Sequence, residues 1–165
     1  MPKVGVIMGS SNDFTALENM IRLLHEFKID VDVHVMSAHR TPARVQEYAL
    51  SARTSGIEVI IAAAGKAAHL PGVIAAYTNL PVIGVPIKSS FMDGLDSLLS
   101  IVQMPNGIPV ATVGVNGSEN AAILAAQILS LRYDELVPML RNYRAKMSKA
   151  VDQGEMTVQK EVELL

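Results

Sequence analysis

Three short polar segments hold the residues able to do chemistry: Gly9-Ser10-Ser11-Asn12-Asp13, Ser37-Ala38-His39-Arg40-Thr41, and Gly65 to Gly72, which contains Lys66, Ala67, Ala68 and His69. His39 beside Arg40 is the most informative pair. An imidazole with a reference pKa of about 6.5 can move protons at neutral pH, and a guanidinium can fork onto phosphate oxygens. The competing reading is a solvated His next to an Arg at a helix start. Ser10, Ser11 and Asn12 surround a turn with side-chain donors. If a helix follows, its N–H groups and dipole favour a phosphate there, although an ordinary capped turn uses the same residue types. Asp13 can cap that helix and also accept from a sugar hydroxyl. His69 either lines a cleft or hydrogen-bonds its own loop, while His25 and His34 read as structural.

What is missing narrows the chemistry. The glycine pattern of a dinucleotide fold, the Lys-Ser/Thr ending of a P-loop and the His-Glu-x-x-His spacing of a zinc site are absent, so nicotinamide, ATP and metal chemistry have no support. No carboxylate pair sits in the three segments, and Ser37 has no Ser-His-Asp constellation around it. Zero Cys excludes disulfides, thiolate metal sites and a Cys nucleophile, and fits a reducing compartment. A net charge of −2 without a Lys/Arg block gives no pull toward nucleic acid or an anionic membrane. No apolar run approaches the roughly 20 residues that span a bilayer, and Met1-Pro2-Lys3-Val4 does not begin a signal peptide, so a cytoplasmic protein is expected. Proton transfer on a small phosphorylated ligand remains.

The elements that would position these segments follow from periodicity. Val4 to Met8 is a continuous apolar run ended by Gly9, as in a strand covered on both faces. Phe14, Leu17, Met20, Ile21, Leu24 and Phe27 then recur at helical spacing, with Asp13 as the expected N-cap. Val31 to Met36 reads as a second strand. Thr41-Pro42 starts a helix through Val45, Tyr48 and Ala52, closed by Gly56. Ile57 to Ala64 and Val82 to Val85 are further strands, each followed by a helix, the first reaching Tyr77 and the second running from Leu95 to Val102. Val110 to Val115 is the fifth strand and Ser118 to Leu131 the fifth helix. Five strand-then-helix units imply a doubly wound α/β domain with a parallel sheet, since right-handed crossovers are the common way to join such strands. All three polar segments then open on the carboxyl edge of the sheet, around one cleft. Hydrophobic residues make up 50% of the chain but aromatics only 4%, so the core must be small aliphatic side chains in close helix-to-sheet contact. Residues 1–131 form this domain, and residues 132–165 read as a helical extension whose stripe Leu136, Val137, Leu140, Tyr143, Met147 needs a partner, a neighbouring subunit being the natural one.

Met8 to Asp13, Ser37 to Pro42, Ala67-Ala68-His69-Leu70-Pro71-Gly72 and the stretch from Gly94 to Pro105 resemble, in order and spacing, the class I phosphoribosylaminoimidazole carboxylase catalytic subunit. The resemblance runs from Val4 to about Leu131. It implies a flavodoxin-like sheet and conversion of N5-carboxyaminoimidazole ribonucleotide to 4-carboxy-5-aminoimidazole ribonucleotide without ATP, metal or biotin, in an octamer with shared sites. It places His39 on the general acid/base position and Ser10, Asp13 and Arg40 on substrate-binding positions. Ser11, Asn12, Ser37, Gly65, Lys66, Ala67 and His69 fall around the substrate. Two departures stand out: Asn12 replaces a usual Ser, and Gly65-Lys66 replaces a usual Gly-Gly, near where class II relatives, which use free carbon dioxide, carry a basic residue. If position 66 needs a positive φ, its side chain costs roughly 1 kcal/mol. A class II carboxylase and a non-catalytic phosphoribosyl-ligand binding module are the alternatives.

Overall fold

The computed structural model describes residues 1–165. Five parallel strands, β1 (Lys3–Met8), β2 (Asp30–Val35), β3 (Val59–Gly65), β4 (Val82–Ile87) and β5 (Ala111–Thr112), form one sheet in the order β2-β1-β3-β4-β5. The helices are α1 (Phe14–Glu26), α2 (Pro42–Ser51), α3 (Leu70–Tyr77), α4 (Leu95–Val102), α5 (Ser118–Leu129) and α6 (Leu136–Val162). Short 3₁₀ turns, Ser11–Asp13 and Met92–Gly94, precede α1 and α4.

Period-2 alternation splits the core into two halves. Val4, Val6, Met8, Ile61 and Val85 face α1 and α5. Ile7, Ile60, Ala62 and Val82 face α2, α3 and α4. The aromatic-poor composition shows its purpose in α5, where Ala121, Ala122, Ala125 and Ala126 are fully buried and let that helix approach the sheet closely. Gly84 does the same under α4: a Cβ there would collide with the Ile101 side chain and press on Val110. An Ala at Gly84 would force the overpacking that typically costs about 1–3 kcal/mol.

The expected Val110–Val115 strand shortens to Ala111–Thr112, with one further bond from the Val113 N–H to the Gly84 carbonyl. Only β4 is available to pair with it, and left-handed Asn116 (φ 55) turns the chain back across the end of β4. The extension also departs from expectation. Leu136 is buried, Leu140 and Tyr143 pack against the α1/α5 half of the core, and Tyr143 meets Phe27 edge to face at 5.9 Å. The first turns of α6 are therefore covered within the chain. Met147 and Val151 onward are not: Val151 is 72% exposed.

Candidate active site at the carboxyl edge of the sheet

β1 is flanked by β2 and β3, so the loops leaving these three strands converge where the winding reverses. Gly9 is tied to the neighbouring strand by its N–H, which donates to the Ala63 carbonyl at 3.1 Å. The next turn is closed reciprocally, with Ser10 Oγ accepting from the Asn12 N–H at 3.3 Å and Asp13 Oδ2 from the Ser10 N–H at 3.1 Å. Asp13 therefore caps backwards onto Ser10 and makes no side-chain bond to α1, because the intervening 3₁₀ turn moves the cap to Ser10. Burial pushes the Asp13 carboxyl above the ordinary range, opposed by the Ser10 N–H and the Arg40 charge.

The second loop is held by its own hydroxyls. Thr41 Oγ1 accepts from the Ser37 N–H at 2.9 Å and donates to the Ser37 carbonyl at 3.1 Å, so its side chain fastens the loop instead of capping α2. Ser37 Oγ accepts from the Arg40 N–H at 3.2 Å. Arg40 Nη2 donates to the Gly9 carbonyl at 3.0 Å, drawing the first two loops together. His39 reaches the third loop, its Nε2 lying 2.8 Å from Nδ1 of His69 with the rings edge to face. One nitrogen must carry a proton and the other a lone pair, so each ring sets the tautomer of its neighbour.

In the third loop Lys66 adopts φ 56, the left-handed backbone that makes a side chain there costly. Ala68 and His69 donate their N–H groups back to the Lys66 and Ala67 carbonyls at 2.8 and 2.9 Å, a tight turn that ends at α3. The three loops enclose a cleft of about 470 Å³. Ser10, Asn12 and Asp13 line it from the first loop, Ser37, His39 and Arg40 from the second, and Gly65, Lys66, Ala67 and His69 from the third. Ser11 does not line it. The 3₁₀ turn rotates Ser11 into a separate groove beside Phe14, Val33 and Val35.

Sequence reading missed Lys88 and Ser89, which line the cleft from the end of β4. The signal was available, since this loop also follows a strand and opens on the same edge. Lys88 donates its N–H to Asn116 Oδ1 at 2.8 Å, and its ammonium lies 3.0 Å from Asp93. Ser89 Oγ donates to Asp96 Oδ1 at 2.6 Å, and the buried Ser97 Oγ lies 2.8 Å from both the Ile87 and Gly94 carbonyls. The Gly94 to Pro105 motif thus acts from behind, fixing a loop that faces the cleft. With Lys88 paired to Asp93, Arg40 and Lys66 against the single lining carboxylate of Asp13 still leave the cleft cationic, suited to a phosphorylated ligand. No three His, Asp or Glu come close enough together to hold a metal ion.

A family model for AIR carboxylase matches residues 3–150. The N5-carboxyaminoimidazole ribonucleotide mutase of Pyrococcus abyssi is 59% identical over 149 residues, covering 90% of this chain and 86% of that protein. The corresponding mutase of Aquifex aeolicus is 52% identical over 162 residues, covering 98% of this chain and 97% of that one. Among solved structures, Treponema denticola PurE superposes with a TM-score of 0.84 at 27% identity, covering 95% of this chain and 98% of that chain. With its five-stranded order, its three converging loops and these likenesses along nearly its whole length, the chain belongs to the AIR carboxylase family, among the class I PurE catalytic subunits.

Proposed function

We propose that this chain is an N5-carboxyaminoimidazole ribonucleotide mutase of de novo purine biosynthesis, an ATP-independent isomerase. The observation that carries the reading is His39, held against His69 at 2.8 Å, in a cationic cleft that also presents Ser10, Asp13 and Arg40. Ser10, Asn12 and Arg40 take the phosphate and Asp13 a ribose hydroxyl, with Ser37, Gly65 and Ala67 closing around the imidazole ring. His39 then donates its proton to the exocyclic nitrogen as the N–C bond of the carbamate breaks and carbon dioxide leaves. The ring carbon attacks the trapped carbon dioxide, and the now neutral His39 removes the proton from that carbon, restoring the aromatic ring. The proton returns to where it began, so no cofactor is consumed. Holding carbon dioxide beside its acceptor replaces an encounter in solution with an intramolecular step. The small Ala67 leaves room for it.

The deciding assay follows the ribonucleotide carbamate spectrophotometrically without added bicarbonate. Turnover supports the mutase. Turnover of only the uncarboxylated ribonucleotide with carbon dioxide would replace it by the class II carboxylase, the second reading that Lys66 favours. Binding without any turnover would leave a phosphoribosyl-ligand module. We also infer that the protein works in the cytoplasm as a homo-oligomer, an octamer being what the family resemblance implies. The uncovered apolar positions of α6 support assembly, and no helix is long and apolar enough to cross a membrane.

A further inference from the structure

Beyond the three loops that carry the proposed mechanism, the cleft has a fourth wall at the end of β4. Gly65 and Ile87 are register partners, so Lys66 and Lys88 leave β3 and β4 side by side, and both line the cleft. Arg40 is bonded instead to Gly9, at the end of β1. In the order β2-β1-β3-β4 the end of β4 lies two strands from that of β1, about 10 Å at the usual strand spacing. Cationic groups therefore stand at both ends of the cleft, and one phosphate can occupy only one of them. A phosphate on Ser10, Asn12 and Arg40 leaves the β4 end for a second anion. The ribonucleotides of the proposed reaction carry one: a carboxylate, on the exocyclic nitrogen before the transfer and on the ring carbon after it.

Lys88 combines a fixed backbone with an exchangeable head. Its N–H donates to Asn116 Oδ1 at 2.8 Å, and Asn116 donates its own N–H to the Pro86 carbonyl at 2.8 Å, so the chain is clamped on either side of Ile87. The next residue is fixed as well, with Ser89 Oγ donating to Asp96 at 2.6 Å. The ammonium, by contrast, is held by Asp93 at 3.0 Å, and the two side chains are 60% and 84% exposed. An ion pair so open to water contributes little, so a ligand carboxylate in the cleft can draw the ammonium away at small cost. We infer that Lys88 is a specificity-determining residue, which exchanges Asp93 for the migrating carboxylate of the ribonucleotide and so selects carboxylated nucleotides over the uncarboxylated one. This rests on the mutase reading and names the group that recognises the part of the substrate that moves. The carboxylate is charged before and after the transfer, whereas the carbon dioxide between is neutral. Lys88 thus acts on binding and selection and not on the rate of bond breaking.

Two substitutions in the full-length protein separate this role from a brace on the loop. Lys88→Met keeps the stem and removes the charge; Asp93→Asn keeps a residue that tolerates the left-handed backbone and removes the competing carboxylate. Calorimetry compares 4-carboxy-5-aminoimidazole ribonucleotide with 5-aminoimidazole ribonucleotide, which share phosphate and ribose and differ in the carboxylate. Lys88→Met should weaken the carboxylated ligand about tenfold, the lower end for a charge-assisted bond because the site is open, and leave the other nearly unchanged. Asp93→Asn should tighten the carboxylated ligand severalfold. If the pair merely braced the loop, both substitutions would shift both ligands in the same direction, and that result overturns the inference. An unchanged carboxylated ligand in Lys88→Met also overturns it and passes the carboxylate to the neighbouring Lys66, while equal losses for both ligands would place Lys88 on the shared phosphate or ribose. Carbamate turnover by the parent protein keeps the two readings apart. A parent without turnover whose carboxylated ligand still depends on Lys88 loses the mutase reading and keeps the carboxylate contact; a parent with turnover and an indifferent Lys88→Met does the reverse.

Discussion

The two edges of the sheet solve the same backbone problem with different residues. At the amino edge, where helices hand the chain to the next strand, the left-handed positions are Gly56 (φ 80), Gly107 (φ 95) and Lys28 (φ 56). At the carboxyl edge they are Lys66 (φ 56), Met92 (φ 44), Asp93 (φ 56), Asn116 (φ 55) and Gly94 (φ 103). Lys28, Lys66 and Met92 each cost about 1–2 kcal/mol of backbone strain, and Asp93 and Asn116, whose short polar side chains enter this region more readily, cost less. At the carboxyl edge most of them have a task that glycine could not perform: Asn116 holds the Lys88 N–H, Asp93 pairs with the Lys88 ammonium, and Lys66 lines the cleft. Strain collects at the edge that carries the three converging polar loops, and the opposite edge is built mainly from glycine.

Substitutions at the two edges should therefore separate activity from stability. The largest effect belongs to His39→Asn, which on the proposed mechanism removes both proton transfers and should lower kcat by about 10²–10⁴-fold with substrate affinity nearly kept. A kcat within a few fold of the parent would remove His39 from the chemistry. Arg40→Ala should weaken binding of the phosphorylated substrate by about 2–3 kcal/mol and barely change binding of the nucleoside that lacks phosphate. Equal losses for both ligands, measured by calorimetry, would place the phosphate elsewhere.

A finer contrast uses the two left-handed lysines. Lys28→Gly and Lys66→Gly should each relieve about 1 kcal/mol of strain, seen as a higher denaturant midpoint. Only Lys66→Gly should change kcat/KM or the preference between carbamate and free carbon dioxide. If both leave kinetics untouched, the carboxyl edge has no functional claim on its strained lysine. The smallest effect concerns pH. Since Asp13 has a raised carboxyl pKa when folded, the unfolded chain releases this proton first, so stability falls as pH climbs from the ordinary carboxylate value to the raised one and is level above. Asp13→Asn keeps an acceptor for the Ser10 N–H and removes that decline. Its stability gain should open across that window and reach only a few tenths of a kcal/mol, because the group is half exposed.

Much of this architecture was readable because the inner strands β1 and β3 are the runs Val4–Met8 and Val59–Ala64, apolar on both faces and closed by Gly9 and Gly65, while the edge strand β2 alternates. The convergence of the His39, Ser10 and His69 loops follows once strand order is granted. What escaped depended on contacts between elements. Nothing local says that β5 has a single neighbour, so its apolar run to Val115 looked like a longer strand. Ser11 has the same side-chain chemistry as Ser10, and only the sense of a 3₁₀ turn sends one into the cleft and the other away from it. The Asp13 cap was displaced by that turn too. Lys88 was passed over because the fourth strand was ended at Val85, two residues before Ile87 delivers the chain to the cleft. The cover over Leu140 and Tyr143 comes from Phe27 and the α5 helix, which no spacing along α6 could reveal.

The strand that anchors the site is also the first of the five sheet strands to be synthesised, and it lies inside the sheet. Its partners sit far downstream: Lys3 pairs with Asp30, 27 residues later, and Val4 with Val59, 55 residues later. At synthesis rates of about 5–20 residues per second, β1 waits several seconds with at least one edge of unpaired N–H and C=O groups, carrying Val6, Ile7 and Met8, which are buried in the finished protein. Non-local pairing of this kind is slow to form. A chain stalled before β3 emerges would thus expose an apolar strand with an open edge, the species that chaperones shield and that neighbouring nascent copies can trap by adding a strand of their own.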